Sequence, residues 1–234
     1  MLFYEKPFRL ELIGRILQKD GRPFEYSTRS VSQLSEVLMD PKKSGPDGIA
    51  YYMYREVYKY ENLRYDITVI PPRMFGEEFV KTYGHYHPKA KDGLSYPEIY
   101  QILNGEAMFI MQTPHRDDSM DCIITKCKKG DIVFVPPNYG HVMVNSSPNS
   151  TLVSSNVVSS SFSSVYEEYK ENHGAAYYYT KDGLTQNLNC IIRKTENVSP
   201  RELLARNRLM LNDLLEEMVN RPEKLAFLED PTLL

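Results

Sequence analysis

The chain has 234 residues, 25 % of them charged, and a formal net charge of −3. That length can bury one good core, and the near balance of charge calls for neither a nucleic acid nor an anionic membrane as partner. No apolar run is long enough to span a bilayer and the N-terminus has no apolar leader stretch, so a cytoplasmic protein is expected. Cys122, Cys127 and Cys190 are odd in number and irregularly spaced, and read as reduced thiols. Eighteen tyrosines with no tryptophan suit half-buried strands or the wall of a polar cavity.

Residues 1–48 read as N-terminal strands and a short helix packing on the main domain. Ser30-Val-Ser-Gln33 has the pattern of a capping box, with Val31, Leu34 and Leu38 on one helical face. Asp40 to Gly48 is a loop by its Pro, Gly and Asp content. From 49 to 195, short apolar runs and turn residues alternate every eight to twelve positions, which predicts an all-β sandwich or barrel. The strands expected include Tyr65–Ile70, Glu78–Tyr83, Glu98–Leu103, Ala107–Gln112, His141–Asn145, Thr151–Val158 and Leu188–Arg193. Asn104-Gly105 predicts a two-residue hairpin. In the tail, 196–234, Ser199-Pro200-Arg201-Glu202 opens a helix expected to run from about 200 to 220 on a Leu/Met stripe. It should pack on the barrel or on a second subunit.

The chemistry concentrates in two blocks. His85-Tyr-His87 is followed by Glu98-Ile-Tyr100, and Gly130 to Pro137 leads into Asn138-Tyr-Gly-His141. Residues two apart on a strand point to one face, so His85 and His87 can aim at a common point. Glu98 from the next strand and His141 from a later one would complete an open site for one divalent ion. Three nitrogens and one oxygen favour Fe2+ or Mn2+, with Ni2+, Co2+ or Zn2+ also compatible. Paired histidines on a strand are often only solvent-facing. The second block, with its own strand and turn signals, tips the reading towards a metal site.

These blocks resemble the two cupin motifs, read here as His85-x-His87, Glu98 and Gly105, then Gly130, Pro136-x-Asn138, His141 and Asn145. The His-to-Glu gap is longer than usual, so Lys89–Pro97 must bulge out, and Asn138 stands where a glycine is common. Among cupins the chain is similar to the cupin-type glucose-6-phosphate isomerases found mainly in archaea, over about residues 50–180. The segments Thr68-Val-Ile-Pro, Lys81-Thr-Tyr-Gly-His-Tyr-His and Phe134-Val-Pro-Pro-Asn-Tyr-Gly-His141 carry that resemblance. It implies a double-stranded β-helix barrel with a metal on His85, His87, Glu98 and His141. It also implies a phosphorylated hexose held by Thr68, Thr82 and the backbone of Gly84, with Tyr51, Tyr100 and Tyr166 beside it. Ser164 stands where the family often has histidine, and His173 is the only nearby substitute. The resemblance further implies a glycolytic and gluconeogenic isomerase.

Aldose–ketose interconversion needs a phosphate anchor, polarised C1 and C2 oxygens and a way to move hydrogen between the carbons. Glu98 could act as base through a cis-enediol, with Tyr100 donating to a substrate oxygen, or Glu98 could serve only as ligand during a hydride shift. Two other functions fit the same motifs: a cupin dioxygenase, which would consume O2, and a non-catalytic cupin that binds a sugar phosphate. Exposed sheet edges of such barrels are commonly covered by a second copy, so a homodimer is expected.

Overall fold

A computed structural model describes residues 1–234. Side-chain alternation organises it. Along the strand Leu63–Ile70, Leu63, Tyr65, Ile67 and Val69 join an apolar cluster on one face, while Arg64 and Thr68 line a cavity on the other. This strand belongs to a six-stranded antiparallel sheet in the order 132–135, 98–104, 152–159, 63–70, 49–60 and 27–30. A four-stranded sheet faces it, ordered 140–145, 106–114, 119–128 and 191–197, with the last strand parallel to its neighbour. Together they form the predicted double-stranded β-helix of the cupins. The segment from Lys81 to His85 extends the smaller sheet through single bridges to the strand Gly140–Asn145.

Consecutive strands change sheets, which overturns the hairpin expected at Asn104-Gly105. The strand Glu98–Asn104 lies in the larger sheet and Glu106–Pro114 in the smaller one. Gly105 turns the corner between them at φ +83°, where a Cβ would come within 2.9 Å of the Thr151 carbonyl oxygen. Asn104 instead donates its side-chain amide to that same carbonyl, at 2.7 Å. A turn signal reads locally, whereas the partner of each strand is fixed by distant residues.

Two further boundaries moved. Glu78–Tyr83 is regular only at Glu78–Phe79, and Leu188–Arg193 is displaced to Ile191–Asn197, where Thr195 and Glu196 pair with Cys122 and Ile123. The capping box at Ser30 is present, with Gln33 N donating to Ser30 Oγ and Ser30 N to Gln33 Oε1.

The core has two parts. A cluster of 32 buried residues fills the space between the sheets, and one of 24 covers the outer face of the larger sheet. Their similar size means the terminal segments are integral to the fold. A four-stranded N-terminal sheet, residues 2–23, contributes Leu10, Leu12 and Leu17 to the outer cluster, and the tail contributes Leu214, Leu215, Met218 and Phe227. Every residue of Leu152–Ser159 is consequently buried.

The tail is not one helix from 200 to 220. It forms Pro200–Arg206 and Leu214–Asn220, followed by 3-10 turns. Arg208 takes a left-handed conformation at φ +55°, and Asp213 caps the second helix by accepting from Glu216 N. Leu203 packs in the inner cluster and Leu214 in the outer one, two surfaces that a single straight helix could not serve. Met210, read as part of the stripe, is 84 % exposed.

Candidate metal centre and adjoining cleft

Strand alternation brings Glu98 and Tyr100 to the inner face of the larger sheet, where both are buried. His141 comes from the opposite sheet, and its backbone exchanges hydrogen bonds with His85 at 3.1 and 3.3 Å. His85 and His87 do not lie on a regular strand, contrary to the sequence expectation. They nevertheless converge, because Gly84 breaks the regular pairing at φ +89°. A Cβ at Gly84 would sit 2.5 Å from the Tyr169 ring, so only glycine fits here.

Glu98 Oε2 is the hub. It lies 3.2 Å from His141 Nε2, 3.3 Å from His87 Nε2 and 3.9 Å from His85 Nε2. The ligand atoms of His85, Glu98 and His141 all lie within 4.8 Å of one another, and His87 Nε2 adds itself 3.1 Å from His85 Nε2. Atoms that share one ion at about 2.1 Å lie roughly 3 Å apart when adjacent, so this crowding suits a common cation. Without a cation, Glu98 Oε2 is a buried polar atom with no hydrogen-bond partner, a costly arrangement.

Neighbouring groups fix the protonation. His87 Nδ1 lies 2.9 Å from the Tyr96 carbonyl, which can only accept, so the proton sits on Nδ1 and the Nε2 lone pair faces the cluster. Burial and the adjacent imidazoles hold His85 well below the usual histidine range, and burial lowers His141 too. Burial alone would raise the Glu98 carboxyl, but His141 and His87 outweigh it and hold it well below the usual range. Neutral His85 and His141 beside an ionised Glu98 are the forms that bind a metal. Burial and the Glu98 charge raise Tyr100 well above the ordinary phenol value, and its hydroxyl lies 2.8 Å from His141 Nε2.

Beside this cluster a cleft opens between the sheets. Tyr51, Thr68, Thr82, Gly84, Tyr100 and Tyr166 all line it, together with His85, His87 and Glu98, while His141 lies beneath. Thr82 Oγ1 accepts from Met143 N at 3.0 Å, which leaves its hydroxyl hydrogen free to donate into the cavity. Tyr166 stands 5.7 Å from the His85 ring, and Ser164 also lines the wall, whereas His173 does not. Phe162 stacks on Tyr96 and covers His87, closing one side against water.

The long His-to-Glu gap folds as a small hairpin, Lys89–Lys91 with Leu94–Ser95. Asn138 secures it, accepting on Oδ1 from Lys89 Nζ at 2.7 Å and from Ser95 N at 3.0 Å. Its φ of +69° explains why glycine is the commoner residue at that position. The residues missed from sequence are Arg29, Arg55, Arg64 and Asn156, all of which line the cavity. Only Arg55, Arg64 and Asn156 carried a findable signal, the inward register of their strands.

A sequence profile described as glucose-6-phosphate isomerase (GPI) matches residues 37–196. The chain belongs to the glucose-6-phosphate isomerase family. It is 29 % identical to the glucose-6-phosphate isomerase of Pyrococcus furiosus over 149 residues, which is 61 % of this chain and 74 % of that one. Identity to the Thermococcus litoralis isomerase is 28 % over 151 residues, covering 61 % and 73 %. Among solved structures, an oxalate oxidase in complex with glycolate aligns over 50 % of this chain and 55 % of its own, at 14 % identity and a TM-score of 0.39. That superposition is too loose to carry weight. The family's profile begins beyond Arg29, so the matched residues supply every expected site residue but not this arginine.

Proposed function

We propose that this protein interconverts glucose 6-phosphate and fructose 6-phosphate with one divalent ion, Fe2+ or Mn2+ by preference, on His85, His87, Glu98 and His141. The observation that carries the metal requirement is Glu98 Oε2, buried without a hydrogen-bond partner among three imidazoles at the edge of the cleft. Family membership supports the isomerase reading. When bound, the ion would polarise the carbonyl at C1 or C2 and steady the charge growing on its oxygen.

The protein residues divide the remaining work. Thr68, Thr82 and the Gly84 N–H anchor the phosphate, while Tyr51 and Tyr166 flank the sugar. Glu98 Oε1 already accepts from Asn156 Nδ2 at 2.7 Å, and Oε2 faces the imidazoles. With Oε1 held by Asn156 and Oε2 turned to the imidazoles where the ion would sit, Glu98 is better suited to hold the ion than to carry a proton. Hydrogen then moves directly between C2 and C1. The hydroxyl proton at O2 passes to O1, and Tyr100, which keeps its own proton, serves as the relay.

Coupling fructose 6-phosphate conversion to a glucose-6-phosphate dehydrogenase tests the activity, with and without added Mn2+. Conversion that is unaffected by thorough metal removal would overturn the metal requirement. Turnover in D2O tests the route: product free of carbon-bound deuterium supports direct transfer, and deuterium washing into C1 or C2 restores Glu98 as base. Oxygen uptake and activity on mannose 6-phosphate separate the dioxygenase and broader-substrate alternatives.

We also propose a cytoplasmic homodimer. No helix is long and apolar enough to cross a membrane, and the three cysteines are buried and free. The small sheet ends at an unpaired edge, Ile191–Asn197, where Ile191 is 65 % exposed. A monomeric mass in solution would refute the dimer.

A further inference from the structure

Three arginines line the cavity, and their partners differ. Arg55 and Arg64 share the single buried carboxylate of Asp66, at 2.7 and 3.1 Å, which fixes both guanidinium groups and neutralises one of their two charges. Arg29 has no carboxylate partner, although its guanidinium meets the Tyr51 hydroxyl. Its guanidinium rests over the rings of Tyr83 and Tyr166, with its carbon 5.5 and 5.8 Å from their centroids, and its Nε is buried without a hydrogen-bond acceptor. A planar guanidinium held by aromatic faces, with donors facing a cavity, is incomplete until an anion arrives.

The position of Arg29 says which part of a ligand it would meet. Arg29 is the register partner of Tyr51, and the Tyr51 hydroxyl accepts from Tyr83 N at 3.3 Å. Arg29 therefore stands over the short segment Thr82–Gly84, whose hydroxyl and backbone are already assigned to the phosphate. On the other side a single ring, Tyr166, separates it from His85 and the metal cluster. That spacing lets one end of a sugar phosphate meet the cluster while the other reaches the guanidinium.

We propose that Arg29 is the cationic phosphate receptor of this enzyme, making the phosphate-selecting residue a contribution of the N-terminal edge strand Ser27–Ser30. The assignment rests on the isomerase reading for the identity of the substrate, but the phosphate subsite can be tested without turnover. A phosphate monoester carries close to two charges at neutral pH, and two parallel N–H donors from one guanidinium match two of its oxygens. The threonine hydroxyls and the Gly84 N–H supply direction but no charge. Arg29 supplies the charge. The capping box on Ser30, the next residue, holds the end of this strand in place.

The experiment compares wild type with Arg29→Gln, Arg29→Met and Arg29→Lys in two assays. In the isomerase assay, both neutral variants should raise KM for fructose 6-phosphate by about 10- to 100-fold with kcat little changed, and Arg29→Lys should fall between. By calorimetry, affinity for inorganic phosphate should weaken by the same factor. Methionine keeps the length and the packing against the rings, so it separates charge from folding should glutamine unfold the strand. Neutral variants that melt like wild type yet keep both KM and phosphate affinity would overturn the proposal. If wild type is inactive on the sugar phosphate but binds phosphate through Arg29, the isomerase reading fails while the receptor stands.

Discussion

Asn156 donates from Nδ2 to Glu98 Oε1 at 2.7 Å, and so leaves Oε2 as the oxygen that faces the imidazoles. Both groups are buried, and they come from adjacent strands of the larger sheet. Outer partners of this kind orient metal ligands. Asn156→Leu should weaken Mn2+ binding about 10- to 100-fold, measured by calorimetry on metal-stripped protein. An unchanged affinity would show that the carboxylate needs no such support.

His85→Ala and His141→Ala should each lose metal and isomerase activity together. In wild type, chelation should abolish turnover and one equivalent of Mn2+ should restore it, read by elemental analysis beside the coupled assay. Full activity in a metal-free His141→Ala preparation would refute the four-residue site.

Thr82→Ala should raise KM more than it lowers kcat, since the hydroxyl is proposed to hold the unreacting phosphate end of the substrate, and Thr82→Ser should recover most of the loss. Gly84→Ala is harsher, because its Cβ would meet the Tyr169 ring at 2.5 Å in a left-handed backbone. A loss of at least ~2 kcal/mol, seen as a lower Tm, is expected. A Gly84→Ala protein as stable as wild type would contradict that packing.

Asp121 accepts from Arg193, a partly exposed pair that clips the edge strand Ile191–Asn197 to its neighbour. Hydrogen bonding to Arg193, with His115 assisting, lowers the Asp121 carboxyl from 3.8 to about 2. A depressed carboxyl adds stability above its unfolded value and loses it as pH falls towards the folded one. The Tm advantage of wild type over Arg193→Ala should therefore be present at pH 5 and fade between about pH 4 and pH 2. The surface position limits it to under about 1 kcal/mol. An advantage that grows on acidification would reverse the sign.

Met218 is fully buried in the outer cluster beneath the tail. Met218→Ala should cost about 2–5 kcal/mol in chemical denaturation, the range for emptied core positions. A cost below half a kilocalorie would mean the tail is only loosely attached.

The site was legible where chemistry and local pattern coincide. His85, His87 and His141 are three of only five histidines and sit with Glu98 beside turn signals, and the caps at Ser30 and Ser199 are short-range patterns that need no tertiary information. Arg29 was not legible. Its meaning depends on pairing with Tyr51, twenty-two positions along the chain, and an arginine in a polar stretch looks like any surface cation. Asn104-Gly105 misled for the same reason, as did the tail, where an unbroken apolar stripe hid the caps at Asn207 and Asp213.

Asp213 accepts from Tyr4 at 2.9 Å and from Gln101 at 3.3 Å, and Gln101 in turn accepts from Leu214 N at 2.9 Å. Gln101 sits on the strand that carries Glu98 and Tyr100. Both terminal segments are thus laced to the strand that carries Glu98, so the geometry of the metal centre depends on residues far outside the barrel.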